Sequence, residues 1–266
     1  MELGDLFAVD RPIIAPVALL PLPGSPRYEG RFDEVLETAM EDARLLESGG
    51  VDGLSLENLG DAPYFKSDVP PETVASMARV LIELRRRTAL PIGVNVLRNA
   101  GRASLAVAQA GGGTFIRVNV LTEAYVTDQG IIEGIAAELM RARRLMGAEG
   151  IAVFADVHVK HAAPLLQRPI RESALDLVER GLADVLVVSG SRTGEPPSVD
   201  DLRTVRDIAT VVIGSGVTAD NAEELLPAAD GAIIATAFRV DGDVRKRVDP
   251  ERVERIVSIA GRVRSG

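Results

Sequence analysis

Residues 150–162 read GIAVFADVHVKHA, from Gly150 to Ala162. A short apolar run of this kind is the pattern of a buried strand, and this one turns polar at its C-terminal end. Strand alternation puts Phe154, Asp156, His158 and Lys160 on one face, with Ala155, Val157 and Val159 on the other. His158 and His161 are the only two histidines of the chain, and Lys160 is one of its three lysines. A carboxylate, two imidazoles and an amine at the end of one buried strand mark a site or a very odd core.

Outward from this segment the same unit recurs. Strand-like runs are read at 13–19, 53–57, 92–96, 114–118, 151–157, 184–188, 211–214 and 231–235. Amphipathic helical patterns lie between them, near 32–48, 72–88, 100–110, 131–146, 170–180, 199–208, 219–227 and 250–263. Ser198 precedes Asp200 and Asp201 as a helix N-cap, and Asp249-Pro250-Glu251 supplies a cap followed by proline in the first turn. Eight strand–helix units predict an α/β fold, a (β/α)8 TIM barrel, as a single domain over 1–266. A doubly wound open sheet is the alternative; no G-x-G-x-x-G follows the first strand.

Composition narrows the function. Hydrophobic residues make up 46% and charged residues 26% of the chain, as in an ordinary globular protein. Aromatics are only 3%, which predicts a core built from Val, Ile, Leu and Ala. The net charge of −9 argues against a nucleic-acid partner, which demands clustered cations. Without cysteine there are neither disulfides nor thiolate nucleophiles. The opening MELGDLF has no signal-peptide character, and the apolar stretch 13–23 is too short and proline-broken to span a bilayer, so a cytoplasmic chain with no integral membrane segment is expected.

In a barrel, function sits at the C-terminal strand ends, where this sequence concentrates its polar residues. The last three loops form one candidate constellation. VSGSRTG and GSGVTADNAEEL offer small residues and free N–H groups, so Ser189, Gly190, Thr193, Gly194, Gly214, Ser215, Gly216 and Thr236 are candidate phosphate contacts. Arg192 or Arg239 could assist, and the competing reading is that the glycines only permit tight turns. The second constellation is Glu57, Asn95, Arg117, Asn119, Asp156, His158, Lys160 and His161. Asp156 and His158 read as a general acid/base pair, with Glu57 and Lys160 as further catalytic candidates. Asn95, Arg117, Asn119, Asp128 and His161 read as substrate contacts. Glu57 or Asp156 facing Arg117 as a structural ion pair is the bland alternative. No cofactor is assigned, and Glu57, Asp156, His158 and His161 could hold a divalent metal. Lys160 is either a Schiff-base nucleophile or an anion-binding amine. The stretch TEAYVTDQGIIEG, carrying Asp128, reads either as a lid or as a connection capping a helix near Ile131.

Taken together, LLPLPGSPRYEG, ENLGDAPYF, VNVLRN, FIRVNV, AYVTDQGIIEG, ADVHVKHAAPL, VSGSRTGEPP and GSGVT resemble the BtpA family, which includes SgcQ-type proteins. The resemblance extends over nearly the whole length and implies a TIM barrel. It also implies two functional directions: nucleosidase activity, as assigned to SgcQ-type members, or the photosystem I biogenesis role behind the family name. The chain departs from the family pattern at Ala18, where a histidine is usual, at Ala100, and at Ala235-Thr236-Ala237. The combined expectation is an enzyme for a phosphorylated sugar or nucleoside-type molecule, acting by acid/base chemistry as a nucleosidase, lyase or isomerase. Phosphate would lie over the last three strands, with the reacting carbon toward Asp156 and His158. The alternative is a non-catalytic assembly factor. By analogy with other barrels a homo-oligomer is expected.

Overall fold

The structure is a computed structural model and describes residues 3–190 and 195–265. In chain order the strands are β1 (Ile13–Ala18), β2 (Gly53–Glu57), β3 (Ile92–Asn95), β4 (Phe115–Val118), β5 (Ala124–Thr127), β6 (Gly130–Glu133), β7 (Ala152–Asp156), β8 (Ala163–Pro164), β9 (Val185–Val188), β10 (Val211–Ile213) and β11 (Gly231–Ile233). The helices are α1 (Gly4–Phe7), α2 (Phe32–Ser48), α3 (Pro71–Arg85), α4 (Gly101–Gly111), α5 (Ala136–Leu145), α6 (Ile170–Leu175), α7 (Val199–Arg206), α8 (Ala222–Leu225) and α9 (Pro250–Ser265).

β1, β2, β3, β4, β7, β9, β10 and β11 are joined in that order, and β1 pairs in parallel with both β2 and β11. The sheet is therefore a closed barrel with no free edge, and the open-sheet alternative is excluded. Ser198 caps α7 as expected, its Oγ accepting the Asp201 N–H at 3.0 Å.

Between β4 and β7 the chain departs from the expected single helix. The expected helix near 131–146 begins only at Ala136, because residues 130–133 form β6. Thr127 Oγ1 accepts the Gln129 N–H and donates to the Gly130 carbonyl, closing a tight turn at Asp128-Gln129. The resulting hairpin, with β8 paired to β5, covers a small apolar cluster of Val120, Tyr125, Ile132 and Val159.

The barrel interior also departs from expectation. Its centre holds Phe115 and Phe154, stacked with ring centroids 4.6 Å apart, and Phe7 of α1 closes the N-terminal end against Phe115 at 5.8 Å. A closed barrel needs wide side chains on its axis, and Gly93 makes room: a β-carbon there would lie 2.1 Å from the Phe115 ring. Aliphatic residues build the layer between strands and helices, as expected. Above the phenylalanines, the next inward positions carry Glu57, Asn95, Arg117 and Asp156, so the polar site rests on an apolar floor. Among the described residues no helix is long and apolar enough to cross a membrane.

Candidate active site

The mouth of the barrel at the strand C-termini holds a cavity of about 1210 Å³. Its floor is organised by Arg117. This side chain is buried, and its Nε and Nη2 donate to the two oxygens of Asp156 at 2.9 and 3.2 Å. Asn119 Nδ2 donates to the same carboxylate at 2.7 Å. Three donors leave Asp156 occupied in fixing Arg117, the arrangement a buried guanidinium requires. With its amide nitrogen committed to Asp156, Asn119 presents a buried Oδ1 that has no protein donor, and the residue lines the cavity.

Glu57, Asn95, Lys160 and His161 line the same cavity, and Asp128 reaches its rim from the tip of the β5–β6 hairpin. Glu57 is buried and accepts a hydrogen bond from Ser55 Oγ at 3.2 Å. Among the described residues the Lys160 amine makes neither a salt bridge nor a hydrogen bond, because Arg117 and Asn119 hold the carboxylate of Asp156. Burial, and after it the positive charge of Arg117, lower the Lys160 pKa to about 8, against the pull of Asp156 and Glu57. Burial and the neighbouring Lys160 lower that of His161.

The opposite end of the cavity is made of backbone. Gly214, Ser215, Gly216 and Val217 follow β10, and Ala235, Thr236 and Ala237 follow β11. Among the described residues the N–H groups of Ser215, Gly216 and Val217 donate to no protein acceptor. Arg252 and Arg255 stand at the rim, against Asp249 and Asp220. Arg117 links the two ends: it starts on β4, yet its Nη2 lies 3.1 Å from where a β-carbon on Gly214 would be.

The family model described as the BtpA family matches residues 9–262. The chain belongs to the BtpA family. It is 43% identical to "Photosystem I biogenesis protein BtpA" of Synechocystis sp., over 97% of this chain and 90% of the relative. It is 48% identical to an uncharacterized protein of Thermococcus kodakarensis, over 96% and 97% of the two chains. Among solved structures it resembles the thiamine phosphate pyrophosphorylase from Pyrococcus furiosus, with TM-score 0.57 and 17% identity over 95% of this chain and 96% of that one. It also resembles N-(5'-phosphoribosyl)anthranilate isomerase from the same organism, with TM-score 0.58 and 13% identity over 95% and 99%. At such identities these two likenesses show the fold alone.

In this BtpA-family barrel, several expected site residues lie elsewhere. β7 ends at Asp156, so alternation stops before His158. The chain then bends as Val159 packs under the hairpin, and Tyr125 Oη donates to the Val157 carbonyl at 3.2 Å. Lys160 is thereby returned to the main cavity, while His158 lines a separate recess of about 330 Å³ together with Ser189 and Gly190. The Asp156–His158 pair is not assembled. The four metal candidates Glu57, Asp156, His158 and His161 do not converge, and the described residues contain no cluster of three or more His, Asp or Glu suited to a metal. Gly190 and Gly216 have a packing reason to be glycine: β-carbons there would fall 2.2–2.4 Å from the backbone of Glu195 and Pro196. Arg239 is buried on Asp42 at 2.5 Å and donates to the Pro16 carbonyl, and it does not line the cavity. Arg192, Thr193 and Gly194 lie outside the described residues.

Other residues enter that sequence reasoning did not assign. Arg98 and Tyr64 line the cavity, and Arg98 Nη2 donates to the Lys160 carbonyl at 2.6 Å. Burial raises the Tyr64 pKa to about 12 and lowers that of Arg98. Their signal was present in VLRN and ENLGDAPYF, at strand ends. Asn58, Asp61 and Asn99 from the same stretches tie the loops together. Asp61 accepts from Leu22 N and Asn58 Nδ2, Asn58 Oδ1 accepts from Leu97 N, and Asn99 exchanges two bonds with the Val120 backbone. Polar strand ends thus divide into those that stitch the rim and those that face the cavity.

Proposed function

We propose that the cavity binds a phosphorylated sugar or nucleoside-type molecule and acts on it by acid/base chemistry. The phosphate lies against the 214–217 turn and Thr236, and the reacting carbon lies toward Glu57 and Lys160. The observation that carries this reading is one continuous cavity with unpaired backbone donors at one end and a desolvated amine beside a buried carboxylate at the other. Loops after the last two strands of such barrels commonly hold phosphate. A lysine poised near neutrality exchanges protons efficiently with a bound substrate. Arg117, Asn119, Asn95, Asp128 and His161 orient hydroxyl groups, while Asp156 positions Arg117. Isomerisation, lyase cleavage and N-glycosidic hydrolysis are the matching reactions.

Thermal unfolding in the presence of ribose 5-phosphate, inorganic phosphate and ribose tests the reading. A ligand held at about 100 times its Kd adds roughly 2.7 kcal/mol, several degrees for a barrel of this size. Stabilisation by the phosphorylated sugar but not by ribose is expected, and it disappears in Ser215→Glu, which sets a carboxylate at the anion end. Equal responses to ribose and ribose 5-phosphate would reject it.

The second reading is a non-catalytic assembly factor. Two observations favour it: the name of the Synechocystis relative, and the exposed apolar side chains Val126, Ile131, Leu165 and Leu166 in and beside the hairpin sheet. Replacing Val126 and Ile131 by Thr would abolish partner co-purification on this reading and leave ligand-induced stabilisation intact.

A further inference from the structure

We propose that Lys160 is a nucleophile for a phosphorylated aldehyde or ketone, forming an imine through its Nζ. The inference rests on the function proposed above and specifies its substrate class and reacting atom. Three observations combine. Lys160 lines the cavity that Glu57 and the 214–217 turn share. Its amine makes no salt bridge or hydrogen bond among the described residues, and the carboxylate of Asp156 is held by Arg117 and Asn119. Its backbone is pinned by Arg98, whose Nη2 donates to the Lys160 carbonyl at 2.6 Å. Burial and the guanidiniums of Arg117 and Arg98 outweigh the pull of Asp156 and Glu57 and favour the neutral amine, the situation in which lysine adds to carbonyls.

In the step itself, the neutral amine attacks the carbonyl carbon and a C–N bond forms. The Glu57 carboxylate relays one proton from the nitrogen to the new oxygen, a second proton from solvent lets the hydroxyl leave as water, and the imine keeps its remaining N–H proton, so no oxidant or reductant is needed. The imine withdraws electrons from the adjacent carbon, which favours C–H or C–C cleavage there, and this fits isomerase or lyase chemistry better than glycosidic hydrolysis. The chain has only three lysines; Lys66 is exposed, and Lys246 is exposed and bound to Asp241 at 2.6 Å. A label on one of them is readily mapped.

The full-length protein is incubated with glyceraldehyde 3-phosphate, reduced with borohydride, and examined by intact mass and peptide mapping. Parallel arms use unphosphorylated glyceraldehyde, excess inorganic phosphate, and the charge-preserving Lys160→Arg variant. The expected result is one adduct on Lys160. Phosphate anchoring should raise its rate at least about tenfold over glyceraldehyde, inorganic phosphate should suppress it, and Lys160→Arg should not form it. Stabilisation by glyceraldehyde 3-phosphate without any Lys160 adduct overturns the nucleophile and leaves the phosphate reading standing. A Lys160 adduct indifferent to phosphate supports the nucleophile and overturns the anion end instead. Labelling spread evenly over Lys66, Lys160 and Lys246 overturns the proposal. The competition arm decides even if Lys160→Arg does not fold.

Discussion

Asp156 Oδ1 accepts from Arg117 Nε at 2.9 Å with both side chains buried, so the charged floor of the cavity is one locked unit. Removing one member strands the other charge, at a cost of about 3–5 kcal/mol. Asp156→Leu and Arg117→Met are each expected to lose about that much in urea unfolding. The double variant Asp156→Leu/Arg117→Met should lose clearly less than the sum. Additive losses would mean that the pair is not coupled.

Gly214 is the second element of this geometry. A β-carbon there would meet Ser189 Oγ at 2.3 Å, Val187 Cγ1 at 2.5 Å and Arg117 Nη2 at 3.1 Å. Gly214→Ala is therefore expected to cost about 1–3 kcal/mol by overpacking. Adding Ser189→Ala removes the closest contact and should restore part of the loss. A fully stable Gly214→Ala barrel would show that the three side chains have room to withdraw.

The pH dependence follows from Lys160. Its folded pKa is lowered from 10.5 to about 8, so between these values the unfolded chain binds the extra proton. Stability must then rise with pH across this window, and the penalty is fully present below pH 8. Lys160→Met should flatten that rise and stabilise the protein at pH 7 by up to about 3 kcal/mol. A parent stability curve that ran parallel to that of Lys160→Met from pH 7 to 10.5 would contradict the shift.

Arg239 separates structure from function on the phosphate side. It is buried on Asp42, so Arg239→Met leaves a buried carboxylate without its cation and should cost about 3–5 kcal/mol. The thermal shift produced by ribose 5-phosphate should stay the same. If the variant kept its stability and lost that shift, Arg239 would belong to the anion site.

The order of elements and the inward placement of Phe154 and Asp156 were legible in the sequence because a strand buried in a barrel obeys a period of two. That rule holds only as long as the strand does. β7 stops at Asp156, so His158 and Lys160, alike in parity, are sent to different cavities by a bend that depends on Val159 packing beneath a distant hairpin. The hairpin itself was hidden because Ile131 and Ile132 fit a helical stripe as well as a strand. Gly190 and Gly216 looked like a phosphate signature, but part of their meaning is the closeness of the Glu195–Pro196 backbone, a tertiary contact no local pattern carries. A low aromatic fraction does not reveal an aromatic barrel centre, because a few phenylalanines suffice when several of them share one axis.

The most direct test of a single ligand bridging both ends of the cavity is calorimetric titration of ribose 5-phosphate and of inorganic phosphate into the parent, Ser215→Glu and Lys160→Met proteins. The account predicts that Ser215→Glu weakens both ligands at least about tenfold, or 1.4 kcal/mol. Lys160→Met should weaken ribose 5-phosphate and leave inorganic phosphate unchanged. Ribose 5-phosphate binding the three proteins with equal affinity, or none of them, would contradict it.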